Sequence, residues 1–250
     1  MPDFQSVPDG FELQSEPVIG IAKHTVFVLH GMWSISNWYN DYNRAVTGKV
    51  ATVAYKFVPI SYRFPSKMQF LSGLGSSERC EIVEGRIKHA IEMEPSDSFS
   101  IICHSFGTKV FSGLSTELKS RFDWVFFAGS ICLLNDELYL RACAGNLVND
   151  CGGLDLLPAL AEAVRPSIYG QTGVVGFGNH PINDRFFCIG HSGAVSQTHF
   201  RDWIFPVLET SQVECVEQYR AGKFRLALPW AIRILILSGI VLATICWLLF

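Results

Sequence analysis

Residues 99–110 read FSIICHSFGTKV, an apolar run that stops at a His-Ser pair and passes through Phe-Gly into a helix-like stretch. A nucleophile has to stand clear of its strand on a turn so sharp that its neighbours must be small. The usual solution is G-x-S-x-G between a strand and a helix. Here the pattern is Cys103-His104-Ser105-Phe106-Gly107, with Cys103 in place of the first glycine. Cysteine is small enough to keep the turn, so Ser105 is the candidate nucleophile. A serine that only caps the following helix would read the same way at this position. A serine hydroxyl also needs a base for its proton and a carboxylate that holds the base in the right tautomer. Histidine is suited by type to shuttle protons near neutral pH, and His191 directly follows the run RFFCIG. Asp155 lies beyond a glycine turn in NLVNDCGGLDLLP, where an aspartate can orient a base. The alternatives are Asp150 as the acid and His199 as the base. Asp155 would also serve as a helix cap, and His191 as a solvated turn residue. His180 and His104 suit the base role less, because the side chain of His104 should point away from that of Ser105.

Acyl transfer builds negative charge on the carbonyl oxygen, and two backbone N–H groups must point at it. One comes from the residue after the nucleophile, Phe106. The other comes from a loop after an earlier strand, where H-G-x is frequent. In VLHGMW that donor is Met32, with Gly31 allowing the close turn and Trp33 as the alternative.

The elements that must position these groups alternate. Strand-like runs begin at Lys23 (KHTVFVLHGMW, ending at Gly31) and cover Val50 to Tyr62, Phe99 to His104, Asp123 to Ile131, Asn146 to Cys151 and Arg185 to Gly190. Helical composition covers Glu78 to Met93, about Phe106 to Leu118, and about His199 to Val207. Strands alternating with helices predict βαβ units and a mostly parallel sheet, an α/β fold flanked by helices. Each candidate triad residue follows a strand. Two segments could roof the site, Tyr62 to Cys80 and Arg165 to Asp184, both of which mix aromatics with glycines. The second, with four glycines, reads as an ordered surface loop. No segment is long enough for a large cap domain between DWVFFAGSI and NLVND.

The chain order Ser105, Asp155, His191 is that of the α/β-hydrolases. From about Thr25 to Leu208 the chain resembles that superfamily, and HGMW, CHSFGTKV, NDCGGLD and GHSG are most similar to lipase- or esterase-like serine hydrolases, including membrane-associated ones. The resemblance implies an eight-stranded-type, mostly parallel sheet with the site at the C-terminal ends of its strands. It implies Ser105 as nucleophile, Asp155 as acid and His191 as base, with no metal or organic cofactor.

The bulk properties set the context. A chain of 250 residues accommodates one sizeable α/β domain. A net charge of -3 gives no signal for nucleic acid. Eight cysteines without C-x-x-C pairs suit reduced thiols in a cytosolic domain. Residues 1–22 are an acidic, Pro-containing extension without the features of a signal peptide. Residues 23–219 form the catalytic domain, and residues 220–250 a basic juxtamembrane segment and tail anchor. The mean hydropathy of +0.25 is raised by that tail. ILILSGIVLATICWLLF (Ile234 to Phe250) carries no charge, and LALPWAI extends it upstream past Arg233. About 17 to 25 such residues span a bilayer core. Arg220, Lys223, Arg225 and Arg233 lie on the upstream side, so the positive-inside rule places a single-pass anchor with the domain in the cytoplasm. The spacing Gly239 to Ala243 would suit helix pairing, hence a homo-oligomer through the membrane helix. A hydrolase held at a bilayer meets lipids and acylated proteins at high effective concentration. The expected substrate is therefore a carboxylic ester of a lipid or acyl chain, the alternatives being a protein acyl-thioester or a silent membrane scaffold.

Overall fold

The computed structural model describes residues 22–31, 38–46, 53–62, 66, 69–70, 76–93, 95–178, 182–219 and 227–239. Side chains of a strand alternate between its two faces. In the first strand, β1 (Ala22–Leu29), Phe27 and Leu29 join the hydrophobic cluster on one side of the sheet, and Val26 and Val28 the cluster on the other. The strand β3 (Ser98–His104) does the same, with Ile101 and Cys103 on the first side and Ile102 on the second. Burial on both faces is what a parallel sheet between two helical layers requires. The others are β2 (Val53–Ile60), β4 (Trp124–Ala128), β5 (Leu147–Gly152) and β6 (Asn183–Phe187). All neighbouring strands pair parallel, in the order β2-β1-β3-β4-β5-β6. The described residues therefore form a six-stranded, wholly parallel sheet, against the eight-stranded type expected.

Helix α1 (Trp38–Val46) covers one face, with Trp38 and Tyr42 packed beside Phe200, Ile204 and Phe205. On the other face, α2 (Ser76–Met93) supplies Val83 and Ile87, and α3 (Phe106–Ser112) supplies Val110 and Phe111. The chain steps outward from β1 to β2 and then returns to β3 on the opposite side of β1. Loops leaving β1 and β3 therefore diverge, opening a crevice at their C-terminal ends, where open α/β sheets bind ligands. Gly31 and Ser105 lie at those two ends.

Three expectations are corrected. The helix expected to run to Leu118 breaks at Gly113, where a Cβ would lie 2.5 Å from the Cys80 sulfur; it restarts at Thr116–Lys119, with Ser115 accepting from the Leu118 N–H. The last helix starts at Gln197, earlier than expected, and passes through a π-helical stretch, Phe200–Ile204. The glycine-rich segment Arg165 to Asp184 is not a surface loop in its middle part, since nearly every residue from Tyr169 to Phe177 is buried, with a helical turn at Thr172–Val175; residues 179–181 lie outside the described residues. Its glycines serve close backbone approach: a Cβ on Gly173 would lie 2.1 Å from the Ser130 nitrogen.

No helix among the described residues is long and apolar enough to cross a membrane. Residues 227–239 are helical and cover the start of the charge-free stretch; residues 240–250, the basic residues Arg220, Lys223 and Arg225, and the extension before Ala22 lie outside the described residues. The described cysteines are all free thiols.

Candidate active site

β3 ends at His104, and the next residue turns the chain into α3 with φ 54 and ψ -123. A β-carbon crowds the backbone at positive φ, so a serine held there is strained by about 1–3 kcal/mol. An ordinary capping serine keeps an extended backbone and accepts from the helix N–H groups; Ser105 does neither, since its side chain makes no cap hydrogen bond. The turn is held instead by backbone bonds, with Ser105 N–H donating to Ala128 O (2.9 Å) and Thr108 N–H donating to Ser105 O (2.9 Å). The second small residue of the pattern is obligatory, since a Cβ on Gly107 would lie 2.6 Å from Leu29 O and 2.9 Å from His30 O. Cys103, where the pattern has its first glycine, is fully buried in the strand and leaves the turn intact.

Past the end of β5, Asp155 Oδ1 accepts from the Leu157 N–H (2.9 Å) at the start of α4 (Leu157–Val164). Its Oδ2 lies 2.7 Å from His191 Nδ1. A carboxylate only accepts, so Nδ1 carries the proton and Nε2 has its lone pair free to take one. The Asp155 side chain is 1% exposed and that of His191 15%, so the pair is a dry carboxylate behind a ring that still reaches solvent. The end of β4 packs against both. At Gly129 (φ 57) a Cβ would lie 2.8 Å from His191 Nδ1 and 3.2 Å from Asp155 Oδ2. Gly129 directly follows Ala128, whose carbonyl holds the Ser105 amide, so Ser105 and the Asp155–His191 pair both border the end of β4; the structure joins Asp155 to His191, and among the described residues no hydrogen bond joins His191 to Ser105.

Of the two expected oxyanion donors, Phe106 is the first residue of α3, where an N–H has no partner within the helix. Met32 and its alternative Trp33 lie outside the described residues, as does His180. Gly31, just before them, packs against Ser105, and a Cβ there would lie 2.7 Å from Ser105 Cβ. The Phe106 ring sits among Tyr62, Phe70 and Tyr169 at 6.1–6.5 Å between centroids, and Phe70 stacks on Tyr169 at 4.6 Å. The two segments expected to roof the site thus meet at the buried ring of Phe106, the residue after Ser105, as part of the hydrophobic core on that side of the sheet.

Asp150 and His199, the alternative acid and base, are paired with each other. His199 Nε2 lies 2.7 Å from Asp150 Oδ2, and Arg185 donates to both carboxylate oxygens (2.7 and 2.9 Å). Burial raises the Asp150 pKa, but the charge of Arg185 and the hydrogen bond of His199 outweigh it and bring it to about 2. This cluster is sealed, with Asp150 and Arg185 each 1% exposed.

Two residues escaped the sequence reading. Arg185 was visible as a lone cation opening an apolar strand, and the register that sets it opposite Asp150 was not. The contact of His104 was not foreseen: its ring lies 4.6 Å from that of His191 and its Nε2 is 3.1 Å from His191 O. Burial, and next the neighbouring His191, lower its pKa to about 3 against the raising effect of that hydrogen bond. The neutral ring therefore donates from Nε2 and ties the end of β3 to the loop that carries His191. Nδ1 is buried without a partner among the described residues. A folded-state pKa below the unfolded value means that the unfolded chain takes up the proton first. The thermal midpoint should fall as pH drops from about 6.5 toward 3, and His104→Phe should flatten that fall between pH 6.5 and 5. Parallel melting curves for the two proteins would refute this.

Among the described residues no group of three or more His, Cys, Asp or Glu side chains is placed to hold a metal ion. No protein-family model matches the chain, and no curated protein matches it.

Proposed function

We propose that the chain is a serine hydrolase of the α/β-hydrolase kind that cleaves carboxylic esters of lipids or acyl chains, held at a membrane by its C-terminal apolar stretch with the domain on the cytoplasmic side. Ser105 Oγ attacks the ester carbonyl while His191 Nε2 takes its proton, and the oxyanion is met by the N–H groups of Phe106 and Met32. His191 then protonates the leaving alkoxide, which departs as the alcohol. A water that gives its proton to His191 attacks the acyl-enzyme and releases the acid, restoring Ser105. What supports this reading most is Ser105 itself, strained at φ 54 without any capping bond, its amide held by Ala128 O directly before Gly129, against which the Asp155–His191 pair packs. A serine that only caps the start of a helix keeps an extended backbone and does not carry that strain, and the other positive-φ serine, Ser211, sits in the ordinary left-handed region (ψ 24) at a helix end.

The experiment is labelling of the detergent-solubilised full chain with a fluorophosphonate probe, followed by mass spectrometry of the modified peptide. The adduct is expected on Ser105 in the wild type, and no adduct on the Ser105→Ala variant. A wild type that stays unlabelled, or an adduct on another serine, would sink the proposal.

A further inference from the structure

The segment that carries Asp155 also carries large apolar side chains that no described residue covers. Leu154, Leu156, Leu157 and Leu160 are 48%, 56%, 49% and 43% exposed, whereas Pro158, Ala159, Ala161 and Ala163 on the inner side of α4 are buried. Leu156 and Leu157 precede Leu160 by four and three residues, so all three share the outward side of the helix. A single exposed leucine is ordinary; a cluster on one face marks a contact surface.

The other end of α4 is tied to the tail helix of residues 227–239. Arg233 donates from Nε to Ala163 O (2.9 Å) and from Nη2 to Glu162 O (2.7 Å). These carbonyls belong to the last turn of α4, where acceptors lack partners within the helix and a cation complements its dipole. The same guanidinium lies 4.7 Å from the Trp230 ring. Leu228, Pro229, Ile232 and Arg233 are buried or half-buried, and from Ile234 to Gly239 every residue is exposed. The helix thus leaves the protein body directly after its last charge, since residues 234–250 carry none. An Arg beside a Trp at the head of an apolar stretch is the pairing found at membrane–water boundaries. Because α4 spans on the order of 12 Å, the exposed leucines lie within about one helix length of the point where the apolar stretch departs.

We propose that the face formed by Leu154, Leu156, Leu157 and Leu160 rests on the lipid bilayer and seats the mouth of the site on the membrane surface, so that the substrate is drawn from the membrane. The part about the substrate rests on the hydrolase reading above; the contact itself requires only that the tail be in the bilayer. The Arg233 bonds couple the two, because a bilayer that receives the stretch beyond Ile234 is brought against α4 by the same residue. The bilayer is preferred over a protein partner because the helix that presents the leucines is bonded, through Arg233, to the point where the charge-free stretch departs.

The test uses the full chain reconstituted in phosphatidylcholine–phosphatidylserine vesicles, with a benzophenone amino acid replacing Leu156, Leu160 or Met93 in turn. Met93, 69% exposed at the end of α2, is the solvent-facing control. Lipid adducts at Leu156 and Leu160 about tenfold above Met93 are the expected result. Arg233→Leu should lower the Leu160 adduct while the protein still resists alkaline extraction. Equal yields at all three positions, adducts to a second copy or another protein in place of lipid, or a wild type that alkali extracts would each overturn the proposal. Fluorophosphonate labelling of the same vesicles separates the two readings. Adducts without labelling keep the surface and remove the hydrolase, and labelling without adducts removes the surface alone.

Discussion

Asp155→Asn is expected to lower ester turnover by about 10⁴-fold while leaving the fold intact. The change is isosteric, and the local geometry decides which way the amide faces. Oδ1 of Asp155 accepts from the Leu157 N–H, a bond that only the amide oxygen of asparagine can keep. The amide nitrogen must then face His191 Nδ1, which in the wild type donates to Oδ2 at 2.7 Å. Two donors cannot share that contact, so the ring moves its proton to Nε2. An Nε2 that carries a proton cannot receive one from Ser105, and the first step fails although every atom is still in place. The interaction matters most in the transition state, so kcat and kcat/KM should fall together. The assay is steady-state hydrolysis of a p-nitrophenyl ester in detergent, with thermal melts of the same preparations. Activity within about tenfold of wild type would remove Asp155 from the orienting role.

The strands and the nucleophile turn were legible because both are local. β-branched and aromatic runs bounded by glycine located all six strands to within a few residues, and the strand–turn–helix context of Ser105 follows from its immediate neighbours. What distinguished Asp155 from Asp150 was less legible, since both lie in one short stretch. Asp150 belongs to the interior of β5, opposite Ala128 and Arg185, whereas Asp155 lies beyond the end of that strand, where a side chain can reach the crevice. That distinction depends on register, a property of three strands together. The glycine-rich stretch Arg165 to Asp184 was misread for a related reason. Glycine marks both exposed turns and places where two backbones touch, and only the neighbours, here Ser130 and Cys132, decide between them. The break at Gly113 likewise reflects the approach of Cys80 from another helix. What His104 does instead was not legible, because its partner is the backbone of His191, on a loop that follows another strand.

Asp150→Ala is expected to act in the opposite way, removing about 3–5 kcal/mol of stability with the chemistry of any surviving folded protein little changed. Arg185 Nε and Nη2 both donate to this carboxylate, Nη1 donates to Trp203 O (3.0 Å), and the side chain is 1% exposed. Truncating Asp150 therefore strands a cation that water cannot reach, and it also removes the Nε2 partner of His199, whose ring packs against Phe187 at 4.6 Å. The cluster joins β5 and β6 to the last helical segment, so the loss should appear in global unfolding. At about 2–4 °C per kcal/mol for a domain of this size, the midpoint should drop by roughly 10 °C. The pH dependence has a definite sign: a carboxylate held near 2 when folded stabilises fully above its unfolded value, and that contribution fades as pH falls from about 4 toward 2. This window overlaps that of His104 only below about pH 4, so above pH 4 the fall reports His104 alone. Pairing the truncation with Arg185→Met should recover part of the stability, because no buried charge is then left without a partner. If Asp150→Ala melted like the wild type but lost turnover as completely as Ser105→Ala, the orienting carboxylate would be Asp150, and the buried Arg185 would be tuning the base instead of stapling the sheet.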